Sequence, residues 1–430
     1  LQRLFPLTRS LTGDGNRETL RVLQEIAPIE LTEYSSGVPV YDWVIPDEWS
    51  IRDAYIKGPD GNRLVDFKVS NLHVVSYSEP VHEQMTFDVL APRLHVLQQN
   101  PDVIPYRTSY YSRDWGFCVT GKQRELLGNI EGLLEVRIDT EFNPAGSMTI
   151  GSLSVPGLSD EEYLVSTYCC HPSMANDNLS GLMVTALLAR EMVARDKPNK
   201  SWRFIFVPET IGSIAYLCHN EVVMKKMSGG LVVTTCGGPG LFGYKETYIG
   251  NHLVDRAIQL AFRDRGITPL HYPFVPDGSD ERQYSSPAFR IPVATITRDK
   301  YYEYSEYHTS ADNLDFVSGR QIAEALDIYR DVLRIMDQNA YYCSNEIHGE
   351  VQLGRRGLYP DIGGAVNQSG ALAGAEQAVQ ELNAITWLMF LADSEHDLLT
   401  VAERSGITFS ELLRAVKKLI NHQLLACVTD

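Results

Sequence analysis

Beyond residue 160 the chain alternates short apolar runs with longer amphipathic stretches, and this alternation constrains its fold more than any other feature. The runs are residues 163–168, 203–207, 231–235 and 292–297; the amphipathic stretches are 179–194, 211–224, 253–265 and 320–336. In the last stretch Ile322, Leu326, Tyr329, Leu333 and Met336 recur at three and four residues, the period of one helix face. Strands that read as continuous apolar runs are buried on both faces. The pattern therefore predicts an α/β fold, a mostly parallel sheet with helices on both faces. Sheets of this kind bind ligands at the carboxyl ends of their strands, so chemistry is expected in the residues just after each run.

Two other segments change texture. Over 38–120 short apolar runs at 53–57 and 64–68 flank the turn signal Gly58-Pro59-Asp60-Gly61-Asn62, which reads as a hairpin in a β-rich insert. The α/β domain then comprises 1–37 and 121–345. The aromatic cluster Tyr106, Tyr110, Tyr111, Trp115 and Phe117 reads as core of the insert. After a Gly-containing connector at 354–374, helices are expected at 379–391, 398–405 and 410–422, with Thr408 or Ser410 as an N-cap and a strand at 424–428. This is the order of a winged helix-turn-helix, assigned with its connector to 346–430.

Charge argues against nucleic acid as a partner. The chain carries 38 basic and 55 acidic side chains, a formal charge of −17, and residues 376–430 hold eight acidic against four basic side chains. Phosphate backbones are held by clustered cations, which this segment lacks, so the winged helix reads as a docking or dimerisation module, compatible with a homo-oligomer. The seven cysteines are irregularly spaced and no apolar run reaches 18 residues. Both point to a reducing, cytoplasmic setting with no membrane span.

Three polar loops follow the apolar runs. In Cys169-Cys170-His171-Pro172-Ser173-Met174-Ala175-Asn176-Asp177-Asn178-Leu179-Ser180-Gly181, His171 and Asp177 lie where they can converge on one cation; capping of the next helix by Asp177 or Asn178 is the alternative. In Val207-Pro208-Glu209-Thr210, an apolar run ends in a carboxylate. Partial desolvation there raises its pKa toward the range of a general base; helix capping is the alternative. The third loop, Tyr304-Ser305-Glu306-Tyr307-His308-Thr309-Ser310-Ala311-Asp312, presents His308, with Asp312 placed to orient its imidazole.

Together these loops resemble the zinc aminopeptidases of the M28 type. The matching stretches are Asp177-Asn178-Leu179-Ser180-Gly181 after a histidine, Glu209 before Gly212-Ser213, Ser279-Asp280-Glu281, and His308-Thr309-Ser310-Ala311-Asp312. A closer resemblance, spanning nearly the whole chain, is to aminopeptidase-like proteins with an inserted β-rich domain and a carboxyl-terminal winged helix. It is carried by Cys170-His171-Pro172-Ser173, Pro208-Glu209-Thr210-Ile211-Gly212-Ser213, Gly278-Ser279-Asp280-Glu281-Arg282-Gln283-Tyr284 and Leu353-Gly354-Arg355-Arg356-Gly357-Leu358-Tyr359-Pro360.

The resemblance implies a zinc-dependent aminopeptidase or amidohydrolase. One ion would be held by His171, Asp177 and His308, with Glu209 as general base or as a further ligand. A small amide or short peptide is the expected substrate, with Asp280, Glu281, Glu306 or Arg282 taking its charged end and Tyr307 lining the cleft. The chain departs from the two-metal pattern. Asp177 stands only six positions after His171, a single Glu209 replaces a glutamate pair, and Thr234-Thr235-Cys236 stands where an aspartate is expected. A second zinc would need Cys236 or Asp280. These losses leave open a catalytically inactive small-molecule-binding protein, and the same chemistry would serve a deacylase in polysaccharide or secondary-metabolite biosynthesis.

Overall fold

The computed structural model describes residues 1–359 and 375–428; residues 360–374 of the expected connector lie outside them. The chain divides into two compact units, residues 1–254 with 269–329, and residues 255–268 with 330–430.

The first unit is built on an eight-stranded sheet. In chain order its strands are β1 (Glu30–Ser35), β2 (Ser147–Val155), β3 (Glu162–Tyr168), β4 (Ser201–Val207), β5 (Gly229–Val233), β6 (Phe242–Lys245), β7 (Leu270–Tyr272) and β8 (Val293–Arg298). Their spatial order is β1-β2-β4-β3-β5-β8-β6-β7. The central strands β4, β3, β5 and β8 pair in parallel, while β1, β2 and β6 join antiparallel neighbours. The four apolar runs are these four central strands. Leu164, Phe204, Ile205, Phe206, Leu231 and Val232 are fully buried, as continuous apolar strands between helix layers must be. The stretch expected as one helix over 211–224 is instead two, Ile211–His219 and Glu221–Met224. Asn220 leaves the helical conformation between them and its side-chain amide donates to the Tyr216 carbonyl at 2.9 Å.

The expected hairpin pairs Glu48–Lys57 with Arg63–Asp66, and Gly61 takes the positive φ of 80° that its turn requires. It belongs to a four-stranded antiparallel sheet whose other members are Val81–Met85 and Leu134–Asn143, so the sheet draws on a strand that follows residue 120.

In the second unit, helices Ala375–Leu391, Leu398–Ser405 and Phe409–Asn421 accompany a sheet of Tyr341–Ser344, Asp393–Asp397 and Leu425–Cys427. Thr408 caps the last helix in a reciprocal pair with Glu411, and Gly406 ends the preceding helix in the left-handed conformation. This is a winged helix. Among the described residues no helix is long and apolar enough to cross a membrane.

Candidate active site

The site forms where β3, β4, β5 and β8 end. β3 leads directly into His171, whose carbonyl accepts the buried Arg9 guanidinium at 2.8 Å. The chain then turns through a tightly held loop. The Asp312 carboxylate accepts the backbone N–H groups of Ala175 (3.1 Å), Asn176 (2.6 Å) and Asp177 (2.9 Å), and the Tyr304 hydroxyl at 3.1 Å. The Asn178 amide donates to Thr167 Oγ1 at 3.0 Å and to the Tyr168 carbonyl at 3.2 Å. Gly181 completes the motif: a Cβ there would lie 2.2 Å from Asn178 Oδ1 and 2.6 Å from the Val233 carbonyl, so the sheet approaches only because the side chain is absent. Neither Asp177 nor Asn178 caps the helix that follows.

His171, Asp177 and His308 offer ligand-type atoms that all lie within 4.8 Å of one another. Asp177 is 1% exposed and its Oδ1 accepts the Tyr168 hydroxyl at 2.5 Å. Its Oδ2 is 3.0 Å from His308 Nε2, yet each of these buried atoms lacks a hydrogen-bond partner. Burial pushes His171 down to about 4, which leaves the imidazole neutral and free to donate a lone pair. Burial raises the Asp177 carboxyl, but the His171 and His308 rings and the Tyr168 hydroxyl outweigh it and bring it to about 2. Two imidazoles and one carboxylate, with two converging unsatisfied atoms, fit a divalent cation of the zinc type.

His308 is held from three sides. Its backbone takes φ 53° while its carbonyl accepts the Tyr106 N–H at 2.7 Å, and the Tyr307 ring stacks on the imidazole at 3.9 Å and 12°. The Tyr106 ring lies 5.3 Å from His171 and 5.1 Å from His308. Tyr106, read from sequence as core, is buried but also walls the site. Asp312 does not orient His308, as expected from its spacing; it fixes the loop bearing Asp177.

Glu209 follows β4 and does not cap the next helix. Its Oε1 accepts the Ser279 hydroxyl at 3.1 Å and its Oε2 lies 3.8 Å from His171 Nε2. Burial first, then the nearby Asp280 and Asp177, push its pKa well above the usual carboxylate range. The next residue, Thr210, takes φ 66°, a strained conformation for a β-branched side chain. Asp280 Oδ1 holds it there by accepting the Thr210 N–H and the Ser213 hydroxyl, each at 2.8 Å.

The other expected contacts divide. Asp280 and Glu281 are 1% and 0% exposed; Glu281 Oε1 accepts Lys245 Nζ at 2.5 Å and the Tyr301 hydroxyl at 3.0 Å. Each carboxylate serves the scaffold through one oxygen and keeps the other buried without a hydrogen-bond partner, and burial this deep does not fit the expected grip on a substrate amine. Arg282 is half-buried beside Thr210. Cys236 donates to the Thr234 carbonyl and joins no ligand cluster, nor does Asp280. The second cluster among the described residues is instead Cys170, His171 and Glu209, with Cys170 Sγ accepting the Glu209 N–H at 3.3 Å.

Comparison with known proteins agrees with this architecture. Residues 1–339 match the family described as a domain of unknown function, DUF4910, and residues 340–427 match a winged helix-turn-helix family. A Clostridium acetobutylicum protein, named for polysaccharide biosynthesis and an aminopeptidase-like domain, is 39% identical over 428 residues, 100% of this chain and 95% of that protein. The crystal structure of a Clostridium acetobutylicum protein described as a peptidase superposes with a TM-score of 0.91 at 37% identity, covering 99% of this chain and 94% of that one. A zinc aminopeptidase of Bacillus subtilis shares the fold at 14% identity, with a TM-score of 0.57 over 78% of this chain and 93% of its own. With an M28-type aminopeptidase fold followed in sequence by a winged helix, the chain belongs to the DUF4910 family.

Proposed function

We propose that the protein is a zinc-dependent hydrolase of small amides or short peptides, an aminopeptidase or amidohydrolase, with one ion held by His171, Asp177 and His308. The observation that carries this reading is the convergence of Asp177 Oδ2 and His308 Nε2, buried atoms 3.0 Å apart with no partner but each other, beside a neutral His171. The aminopeptidase fold of the solved relatives supports it. When bound, such an ion polarises a carbonyl and makes water acidic enough to attack at neutral pH.

The chain's own residues do the rest. Glu209, its side chain 25% exposed and 3.8 Å from His171, reaches both the cluster and solvent. Its raised pKa suits it to take a proton from the attacking water and return it to the leaving nitrogen, so that amide and water become acid and amine. Tyr106 and Tyr307 shield the two imidazoles from solvent, and Asp280 fixes the turn that aims Glu209.

A second reading, removal of an acyl group from a sugar amide, is favoured by the polysaccharide-biosynthesis name of the 39% identical relative. It uses the same residues. The winged helix we read as a docking or dimerisation module rather than a DNA reader, because acidic side chains outnumber basic ones over 376–430.

The test is elemental analysis combined with turnover of aminoacyl amides and N-acetyl sugars before chelation, after it, and after zinc is restored. Glu209→Gln should retain the metal and lose about 10²–10⁴ in kcat. Turnover indifferent to chelation, or full activity in Glu209→Gln, would refute the assignment.

A further inference from the structure

Arg282 is half-buried at the edge of the site and forms no ion pair among the described residues. Its hydrogen bond, Nη2 to Thr210 Oγ1, is long at 3.4 Å, and its Nε is buried without any partner. Thr210 directly follows Glu209, which places the guanidinium one residue from the group that moves the proton. Glu209 and Asp280 both feel its charge, yet neither lies within ion-pair distance. Tyr302, 65% exposed, stands in the same field and packs edge-on against Tyr307 at 5.1 Å, which in turn stacks on His308.

A half-buried guanidinium whose nearest carboxylates stand beyond ion-pair distance keeps donors free, and its fork of donors matches an oxyanion. Two of the nearby carboxylates lie beneath the surface that a substrate ammonium would meet: Asp280 and Glu281 are 1% and 0% exposed, and each accepts scaffold donors through one oxygen, Asp280 from Thr210 and Ser213, Glu281 from Lys245 and Tyr301.

We propose that Arg282 binds an oxyanion carried by the substrate, a carboxylate or a phosphate, so that the site selects acidic amides over amides bearing a free ammonium. This rests on the amide-hydrolase reading above and names its substrate class. Arg282 is then a specificity residue, and the exposed Tyr302 ring forms the adjoining wall.

The experiment uses the full zinc-loaded chain and matched probes: N-acetylglycine, its neutral counterpart N-acetylglycinamide, N-acetyl-O-phosphoserine, and leucinamide with its free ammonium. In Arg282→Gln the kcat/KM ratio of acidic to neutral probe should fall by about tenfold or more, mainly through KM, with part of the loss restored in Arg282→Lys. Calorimetric binding of acetate and of inorganic phosphate gives a readout independent of turnover. The wild type should bind at least one of them about tenfold more tightly than Arg282→Gln, and whichever is bound identifies the anion. Preference for leucinamide, or anion binding and probe ratios unchanged in Arg282→Gln, would overturn the proposal while leaving the hydrolase reading intact. Anion binding lost in the variant with no probe cleaved by the wild type would support the Arg282 site and overturn the hydrolase reading instead.

Discussion

Replacing Asp312 by alanine should loosen the whole site although Asp312 belongs to neither ligand cluster. Its carboxylate accepts three backbone N–H groups from the loop that carries Asp177. The Ala175 N–H also reaches the Asp312 backbone carbonyl at 3.0 Å, so the substitution orphans two backbone donors, those of Asn176 and Asp177, besides the rotatable Tyr304 hydroxyl. Each buried, unsatisfied N–H costs about 1–3 kcal/mol, giving about 2–6 kcal/mol in all, less whatever an entering water recovers. That is a large fraction of a typical folding free energy of about 5–15 kcal/mol. Asp312→Asn keeps one acceptor oxygen but turns an amide N–H₂ toward the other donor, so its effect should fall between those of wild type and alanine. The assay is the urea unfolding midpoint of the metal-free protein, paired with zinc affinity by competition against a chromophoric chelator. A loosened loop should weaken zinc by about 10–100-fold, as removal of a partner that orients a ligand does. An alanine variant within about 0.5 kcal/mol of wild type and with unchanged zinc affinity would refute the idea that this carboxylate shapes the loop.

Two other outcomes follow from ion pairs remote from solvent. Lys245 and Glu281 are 3% and 0% exposed, so Glu281→Gln or Lys245→Met alone should destabilise by about 3–5 kcal/mol, whereas the double change Lys245→Met with Glu281→Leu should recover most of the loss in thermal unfolding. Equal damage in single and double variants would contradict this. Arg17 bonds Glu48 through two nitrogens, at 2.6 and 2.7 Å, and the guanidinium holds the Glu48 carboxyl below its usual pKa. A depressed folded-state pKa gives stability that is present above the ordinary carboxylate range and lost as pH falls through it. Glu48→Gln should therefore be less stable than wild type at pH 7 by about 1 kcal/mol, with the gap closing below about pH 4; a gap that widens on acidification would refute the pairing.

The centre of the α/β sheet was legible because parallel strands buried on both faces must be apolar throughout, and four such runs stand in the sequence with helical stretches between them; the short strands Phe242–Lys245 and Leu270–Tyr272 between the last two runs were not. Their ends located His171, Glu209 and His308, since open sheets gather ligand-binding loops at the carboxyl edge. The winged helix was legible for a related reason: capping and left-handed turn residues such as Thr408 and Gly406 act within a few positions of themselves.

Only the tertiary structure decided which polar residues face one another. Asp312 lies 137 residues from Ala175, Tyr106 enters from a loop far from both histidines in the sequence, and Arg9 buttresses His171 across 162 positions. Such pairings leave no periodic trace, because they are set by where loops cross in space. The same holds for Asp280 and Glu281, charged residues whose sequence surroundings look solvated. Burial gave them Thr210, Ser213, Lys245 and Tyr301 as partners and left Arg282 only a long hydrogen bond to Thr210 among the described residues. Sequence fixes what an element is by local sterics and side-chain period; the availability of a charge depends on how the rest of the chain surrounds it.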